Sequence, residues 1–318
     1  MSKGNAVAVA GNIIRRGGLV AFPTETVYGL GADACNPEAV AGIFAAKERP
    51  RFDPLIVHIH DFKQLDLIAE TIPSNARMLI ETFWPGPLTI VVPKRENIPD
   101  IVTSGLPNVA VRMPDNRIAL DLIKSAQTPV AAPSANKFGH ISPTCAAHVR
   151  DQFGKEIDMI IDGGPCMVGV ESTIIGFTET PPVLLRPGGV PLEHIRGIIG
   201  DVNVPPHNSL TGVSPGRQLR HYAPATPLVM GDEPPVASGL RKGLLSFKPP
   251  SSSDTGEYAA IEVLSAKGDP AEAACNLFAA LRRLDGMELD VIVTSPIPDE
   301  GLGLAINDRL RRASQSRK

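Results

Sequence analysis

Gly17-Gly18-Leu19-Val20-Ala21-Phe22-Pro23-Thr24-Glu25-Thr26-Val27-Tyr28-Gly29-Leu30-Gly31 is the stretch from which the fold is read. Upstream of it, Ala6, Val9, Ala10, Ile13 and Ile14 recur at helical spacing, and the glycine pair stops that helix. Leu19–Phe22 is then an unbroken apolar run of strand length, so the chain opens as helix followed by buried strand. Downstream, Asn36 before Pro37 predicts an N-cap and first turn, with Val40, Ile43 and Phe44 facing inward on a helix that ends near Lys47. Strand-like runs follow at 55–59, 88–92, 109–113, 129–132, 159–161, 173–177 and 183–185, with helical stretches such as 117–125 and 144–153 between them. The expectation is an α/β fold whose main part is a twisted mixed sheet of many strands with flanking helices.

Five prolines fall between Asp201 and Pro227, where periodicity is lost. That segment reads as a linker or lid and carries Arg217, Arg220, His221 and Tyr222. Beyond it, apolar runs at 228–230, 243–247 and 291–294 and helical stretches at 271–284 and 305–313 predict a second, smaller α/β unit. The expected division is 1–200, linker 201–227, and 228–318.

Composition narrows the function. With 43% apolar and 20% charged residues in 318, the chain buries a real core. A net charge of −3 and 4% aromatics argue against strong nucleic-acid binding, which wants basic grooves and stacking platforms. Four scattered cysteines without a CxxC pair argue against a disulfide framework and a zinc ribbon, and fit a reducing, cytoplasmic setting. No uninterrupted apolar run is long enough to predict a membrane span.

Several segments carry candidate chemistry. In extended chain Thr24, Thr26 and Tyr28 share a face, which suits a polar ligand or merely a β-rich segment. Lys47 and Arg49 flank Glu48 before Pro50, which pushes Arg49 toward extended geometry and lets two cations converge on a phosphate. Arg112 and Arg186 end apolar strands, a position that favours anion binding in α/β folds, although a surface cation is the simpler reading of each. Ser134, Asn136, Ser142 and Ser172 lie in small polar turns, where capping roles compete with ligand contacts. His58 and His60 share a strand face without an evident third ligand, so zinc is not expected. No GxxxxGK[ST] loop, dinucleotide fingerprint or nucleophile elbow occurs, so any nucleotide binds without a P-loop.

Taken in order, PTETVYGLG at 23–31, KER at 47–49, WPGPLT at 84–89, VAVRMP at 109–114, APSAN at 132–136, GVESTI at 170–175 and LLRPGG at 184–189 resemble the YrdC-like domain of threonylcarbamoyl-adenylate synthases. SPGRQLRHYAP at 214–224 and GLGLAINDRLRRA at 301–313 are similar to the long form of that family, which appends a linker and a small Rossmann-like domain. The resemblance implies that L-threonine, bicarbonate or CO2, and ATP give threonylcarbamoyl-AMP and pyrophosphate, the donor that a tRNA threonylcarbamoyltransferase uses for t6A at position 37. By motif position it implies Lys47 and Arg49 as catalytic cations, and Thr26, His58, Arg112 and Ser172 on threonine. Arg49, Asp53, Ser134, Asn136, Ser142, Arg186 and Tyr222 would hold ATP, with Mg²⁺ on its phosphates. Asp53 stands where the long form has Asn, and a carboxylate there repels phosphate unless a metal intervenes. An RNA-binding protein using the same cationic concavity is the alternative, and carbamoyl transfer to another acceptor is a third reading.

Overall fold

The computed structural model describes residues 3–206, 221–231, 239–251 and 255–315. The chain begins with α1 (Lys3–Arg15), β1 (Val20–Phe22) and β2 (Gly29–Asp33). Next come α2 (Pro37–Lys47), β3 (Ile56–His58), α3 (Phe62–Ile68), α4 (Ser74–Phe83), β4 (Leu88–Pro93), α5 (Asp100–Thr103) and β5 (Asn108–Arg112). The first unit continues through α6 (Arg117–Ala126), β6 (Val130–Ala131), α7 (Ala146–Phe153), β7 (Met159–Ile160), β8 (Thr173–Gly176), β9 (Val183–Arg186) and α8 (Leu192–Ile199). Its nine strands form one mixed sheet in the order β7-β1-β2-β6-β3-β5-β4-β8-β9.

Strand alternation divides this sheet into two faces. Ala21, Leu30, Ile90, Val109, Val111, Ala131 and Ile175 belong to one continuous core that includes Val40, Ile43 and Phe44 of α2 and Leu79 and Ile80 of α4. The intervening residues point the other way. There Val20, Phe22 and Val130 pack with Ala10 and Ile14 of α1 and Leu122 and Ile123 of α6. Farther along that second face Ile56, Val91, Ala110, Ile174 and Leu185 form a separate apolar patch. The second face is therefore covered by helices at one end only.

The N-cap reading of Asn36 holds: its side chain accepts from the amides of Glu38 and Ala39, with Pro37 in the first turn. The segment after β1 departs from expectation, because residues 23–28 form a turn and not an extended strand. Thr24 Oγ1 accepts from the amides of Thr26 and Val27 and donates to Val27 O, a local hydroxyl turn that competes with strand pairing.

The C-terminal unit holds β10 (Leu228–Met230), β11 (Lys242–Ser246), β12 (Ala260–Val263), α9 (Pro270–Asp285), β13 (Val291–Thr294) and α10 (Gly303–Ala313). Among the described residues its four strands run in the order β10-β13-β11-β12, and every pairing between them is parallel. Sequence reading missed β12, a half-buried edge strand whose Glu262 interrupts the apolar run. Leu277, Phe278 and Leu281 of α9 share one core with Val27, Ile141 and Val170 of the first unit, so the two units meet through apolar packing. Among the described residues no helix is long and apolar enough to cross a membrane.

Candidate active site

Strand directions explain why distant residues meet. β3 and β5 are parallel, and His58 pairs with Arg112 in register, so two strand ends carry neighbouring side chains on one face. β4 runs against β5, β8 runs with β4, and β9 runs against β8. Consequently Ser172, just before β8, and Arg186, ending β9, lie at the same sheet edge as His58 and Arg112. β6 runs against β3, so Pro133–Asn136 leave the sheet at the opposite edge, where Ser134 bridges Gly29. A cavity on the partly covered second face spans both edges. Its lining includes Thr26, Arg49, His58, Arg112, Ser134, Glu171, Ser172, Arg186, His221 and Tyr222.

On the His58 side, Arg112 organises the wall. Its Nη1 donates to Thr26 Oγ1 at 2.9 Å, its Nε donates to Gly86 O at 3.2 Å, and its Nη2 lies 2.6 Å from Glu25 Oε1. Burial, and next the charge of Arg112, hold the His58 imidazole down at about 3, so the ring is uncharged near neutrality. Ser172 Oγ is 2.7 Å from Thr89 Oγ1 and receives Arg186 Nη2 at 3.2 Å. Gly188 permits this packing: a Cβ there would lie 2.3 Å from Glu171 O and from the Ser172 carbonyl carbon.

On the Ser134 side, Arg49 Nε and Nη2 donate to Asp53 O and Pro54 O, and Asp53 Oδ2 pairs with Nη2 at 2.9 Å. Lys47 does not line the cavity. Its ammonium lies beneath the 134–136 loop and donates to Ser134 O at 2.6 Å and to Asn136 O. Burial and then Arg49 push its pKa well down. Of the two expected cations, Arg49 lines the cavity, while Lys47, near enough to feel the Arg49 charge, supports the loop carrying Ser134.

Other predicted residues also stand behind the wall. Asn136 Nδ2 donates to Lys137 O and His140 O, and Ser142 Oγ donates to Glu171 Oε1 at 2.5 Å. Tyr28 parts from the two threonines, because its hydroxyl donates to Gly164 O, and burial pushes it up to about 12. Arg217 and Arg220 lie outside the described residues. Tyr222 does line the cavity, stacked on Phe278 of α9 with ring centroids 5.6 Å apart.

Sequence reasoning missed Glu25, Glu171 and Arg309. Glu171 sits inside the quoted GVESTI segment, where a carboxylate beside Ser172 was a readable signal. Arg309 follows Leu302 by seven residues and so falls on the apolar stripe of α10, an unusual place for a cation.

The comparisons with known proteins point one way. Residues 12–188 match the Sua5, YciO and YrdC family model, described as telomere recombination, and residues 190–315 match the threonylcarbamoyl-AMP synthase C-terminal domain. A Pyrococcus abyssi threonylcarbamoyl-AMP synthase is 48% identical over 97% of this chain and 94% of its own length. The Bacillus subtilis threonylcarbamoyl-AMP synthase is 41% identical over 98% of this chain and 93% of its own length. The crystal structure of Pyrococcus abyssi Sua5 complexed with L-threonine superposes with a TM-score of 0.90 at 45% identity, covering 97% of this chain and 94% of the other. With both family models matched in sequence order and relatives of this identity along nearly its whole length, the chain belongs to the threonylcarbamoyl-AMP synthase family in its two-domain form.

Proposed function

We propose that the cavity joins L-threonine, CO2 supplied as bicarbonate, and ATP into threonylcarbamoyl-AMP and pyrophosphate, for transfer to tRNA by a separate threonylcarbamoyltransferase. Synthesis of threonylcarbamoyl-AMP is the activity of the family to which the chain belongs. The observation that carries the finer reading is the meeting, in one cavity, of Thr26, His58, Arg112 and Ser172 with Arg49, Ser134, Arg186 and Tyr222.

The chemistry asks for positioning. The free-base amine of threonine adds to CO2 and gives up one N–H proton to solvent, and an oxygen of the resulting carbamate attacks the α-phosphorus as the bond to the β-phosphate breaks and pyrophosphate leaves. No covalent enzyme intermediate is required, so holding both partners in line supplies most of the acceleration. Arg112 would hold the amino acid carboxylate beside Thr26, and uncharged His58 and Ser172 would take polar contacts to the rest of the molecule. Arg49 and Arg186 would oppose the charge that gathers on the leaving group. Lys47 acts here through the Ser134 loop that it holds, and Asp53 through Arg49.

Among the described residues no three His, Cys, Asp or Glu side chains gather to hold a metal, and Asp53 is taken up by Arg49. The donor set does not fit a protein-held Mg²⁺, so the ion belongs to this reading only as a companion of the nucleotide. Burial of Arg49, Arg112 and Arg186 suits small anions and keeps them from a polymer backbone, which disfavours the RNA-binding alternative. A cytoplasmic setting, beside the tRNA machinery, belongs to the same proposal.

Pyrophosphate release tests the reading. It is expected only with ATP, threonine and bicarbonate together, with threonine preferred to serine by about tenfold or more, the value of one methyl group in a pocket. Equal turnover with serine, or turnover without bicarbonate, overturns it.

A further inference from the structure

Arg309 is fully buried, and although α10 belongs to the C-terminal unit its guanidinium reaches across to the first. Nε donates to Glu171 Oε2 at 2.9 Å and Nη1 donates to Pro187 O at 2.7 Å. The guanidinium carbon lies 5.2 Å from the centre of the Tyr222 ring, a cation–π contact. Asp308, itself buried, holds Arg309 at 3.1 Å and Arg312 at 3.1 Å.

Glu171 is the consequence of interest. It lines the cavity near Arg186, and its other oxygen takes the Ser142 hydroxyl. A bare carboxylate in that wall repels a polyphosphate strongly, because Glu171 is buried and its charge is poorly screened there. Arg309 cancels that charge from behind. At the same junction three buried polar atoms, His221 Nδ1, Tyr222 Oη and Arg309 Nη2, have no hydrogen-bond partner among the described residues, the mark of a place that takes a polar ligand.

We propose that Arg309 is a positioning residue for the nucleotide: it neutralises Glu171 and seats the Tyr222 ring, so the C-terminal unit completes a site that the first unit holds only in part. The inference rests on reading the cavity as a threonine- and ATP-using site.

The test uses the full chain and compares Arg309→Lys, Arg309→Met and Arg309→Met with Glu171→Gln, measuring KM for ATP and for threonine alongside the melting temperature. Arg309→Met is expected to raise the ATP KM at least tenfold and the threonine KM less than threefold. Arg309→Lys should recover part of the loss. The double variant should recover most of it, because Gln still accepts from Ser142 and no longer carries the charge. A purely structural arginine predicts otherwise: both KM values shift together, the loss follows the melting temperature, and the double variant is no better than Arg309→Met. That pattern overturns the inference. Absence of ATP- and threonine-dependent pyrophosphate release in the unaltered chain overturns the proposed function first and this inference with it.

Discussion

The Arg112 side of the cavity and the Tyr222 side are built by different means. His58 and Arg112 sit in register on adjacent strands of one sheet, and Thr26 joins them by a single hydrogen bond. The Tyr222 side gathers residues 142, 171, 186, 222 and 309 from five separated segments and two units. What binds those units is apolar packing like that of a domain core, with Val27, Ile141 and Val170 in the cluster of Leu277 and Leu281. Contact is close enough that a Cβ on Gly169, at φ +78°, would lie 2.4 Å from Ala274 O. A site half written into one sheet and half into an interface should respond unequally to damage at the two places.

Arg112→Met attacks the sheet-built half and carries the largest expected effect. Threonine-dependent pyrophosphate release should fall about a hundredfold or more. Stability should drop by about 3–5 kcal/mol, because buried Glu25 loses its partner. Adding Glu25→Gln should restore the denaturation midpoint without restoring threonine binding by calorimetry. Normal threonine affinity in that double variant would break the contrast, since Arg112 would then be a structural cation only.

Ending the chain at Pro206 attacks the other half. The cut spares buried Val202 and the bond from the Leu184 amide to Asn203 O at 2.8 Å, which belong to the first unit. Threonine affinity should stay within a few-fold of the full chain, while the ATP KM rises by about tenfold or more. Equal losses for both ligands would show that the two halves are one cooperative structure.

A pH series sharpens the sheet-built half. His58 has a folded pKa of about 3, below the ordinary value near 6.5, so below pH 6.5 the unfolded chain gains a proton that the folded chain refuses. Stability from this group is full above pH 6.5 and is lost as pH falls toward 3, by about 2 kcal/mol between pH 7 and 5. Buried His221, also depressed by burial and then by Arg49, acts in the same direction. Urea unfolding of His58→Asn should show a shallower pH slope than the unaltered chain, and an identical slope would contradict the burial assigned to this ring.

The smallest effect is expected from Tyr222→Phe. The hydroxyl is buried without a partner, so its removal should leave the melting temperature unchanged or slightly raised while the ATP KM rises a few-fold. An unchanged ATP KM would mean that the ring alone serves the site.

Much of this molecule was legible before folding. The strands read at 88–92, 109–113 and 291–294, the helix capped at Asn36-Pro37 and the helix read at 271–284 match observed elements to within a residue or so, because apolar runs, alternation and capping act within a few residues. Arg49, Arg112, Ser134, Ser172 and Arg186 stood out because polar side chains at strand ends and in small turns interrupt apolar runs. Tertiary structure decided the rest. Tyr28 left its two threonines because Thr24 closes a turn on itself, and Lys47 turned under a loop because carbonyls 87 and 89 residues away offered it acceptors. Glu171 and Arg309, 138 residues apart, became partners only when the two units packed together. By itself the sequence determined the elements and the chemical kinds of side chain available, since local propensity and periodicity are short-range; only the fold decided which charges are buried together, because burial and ion pairing depend on contacts between segments that no local pattern records.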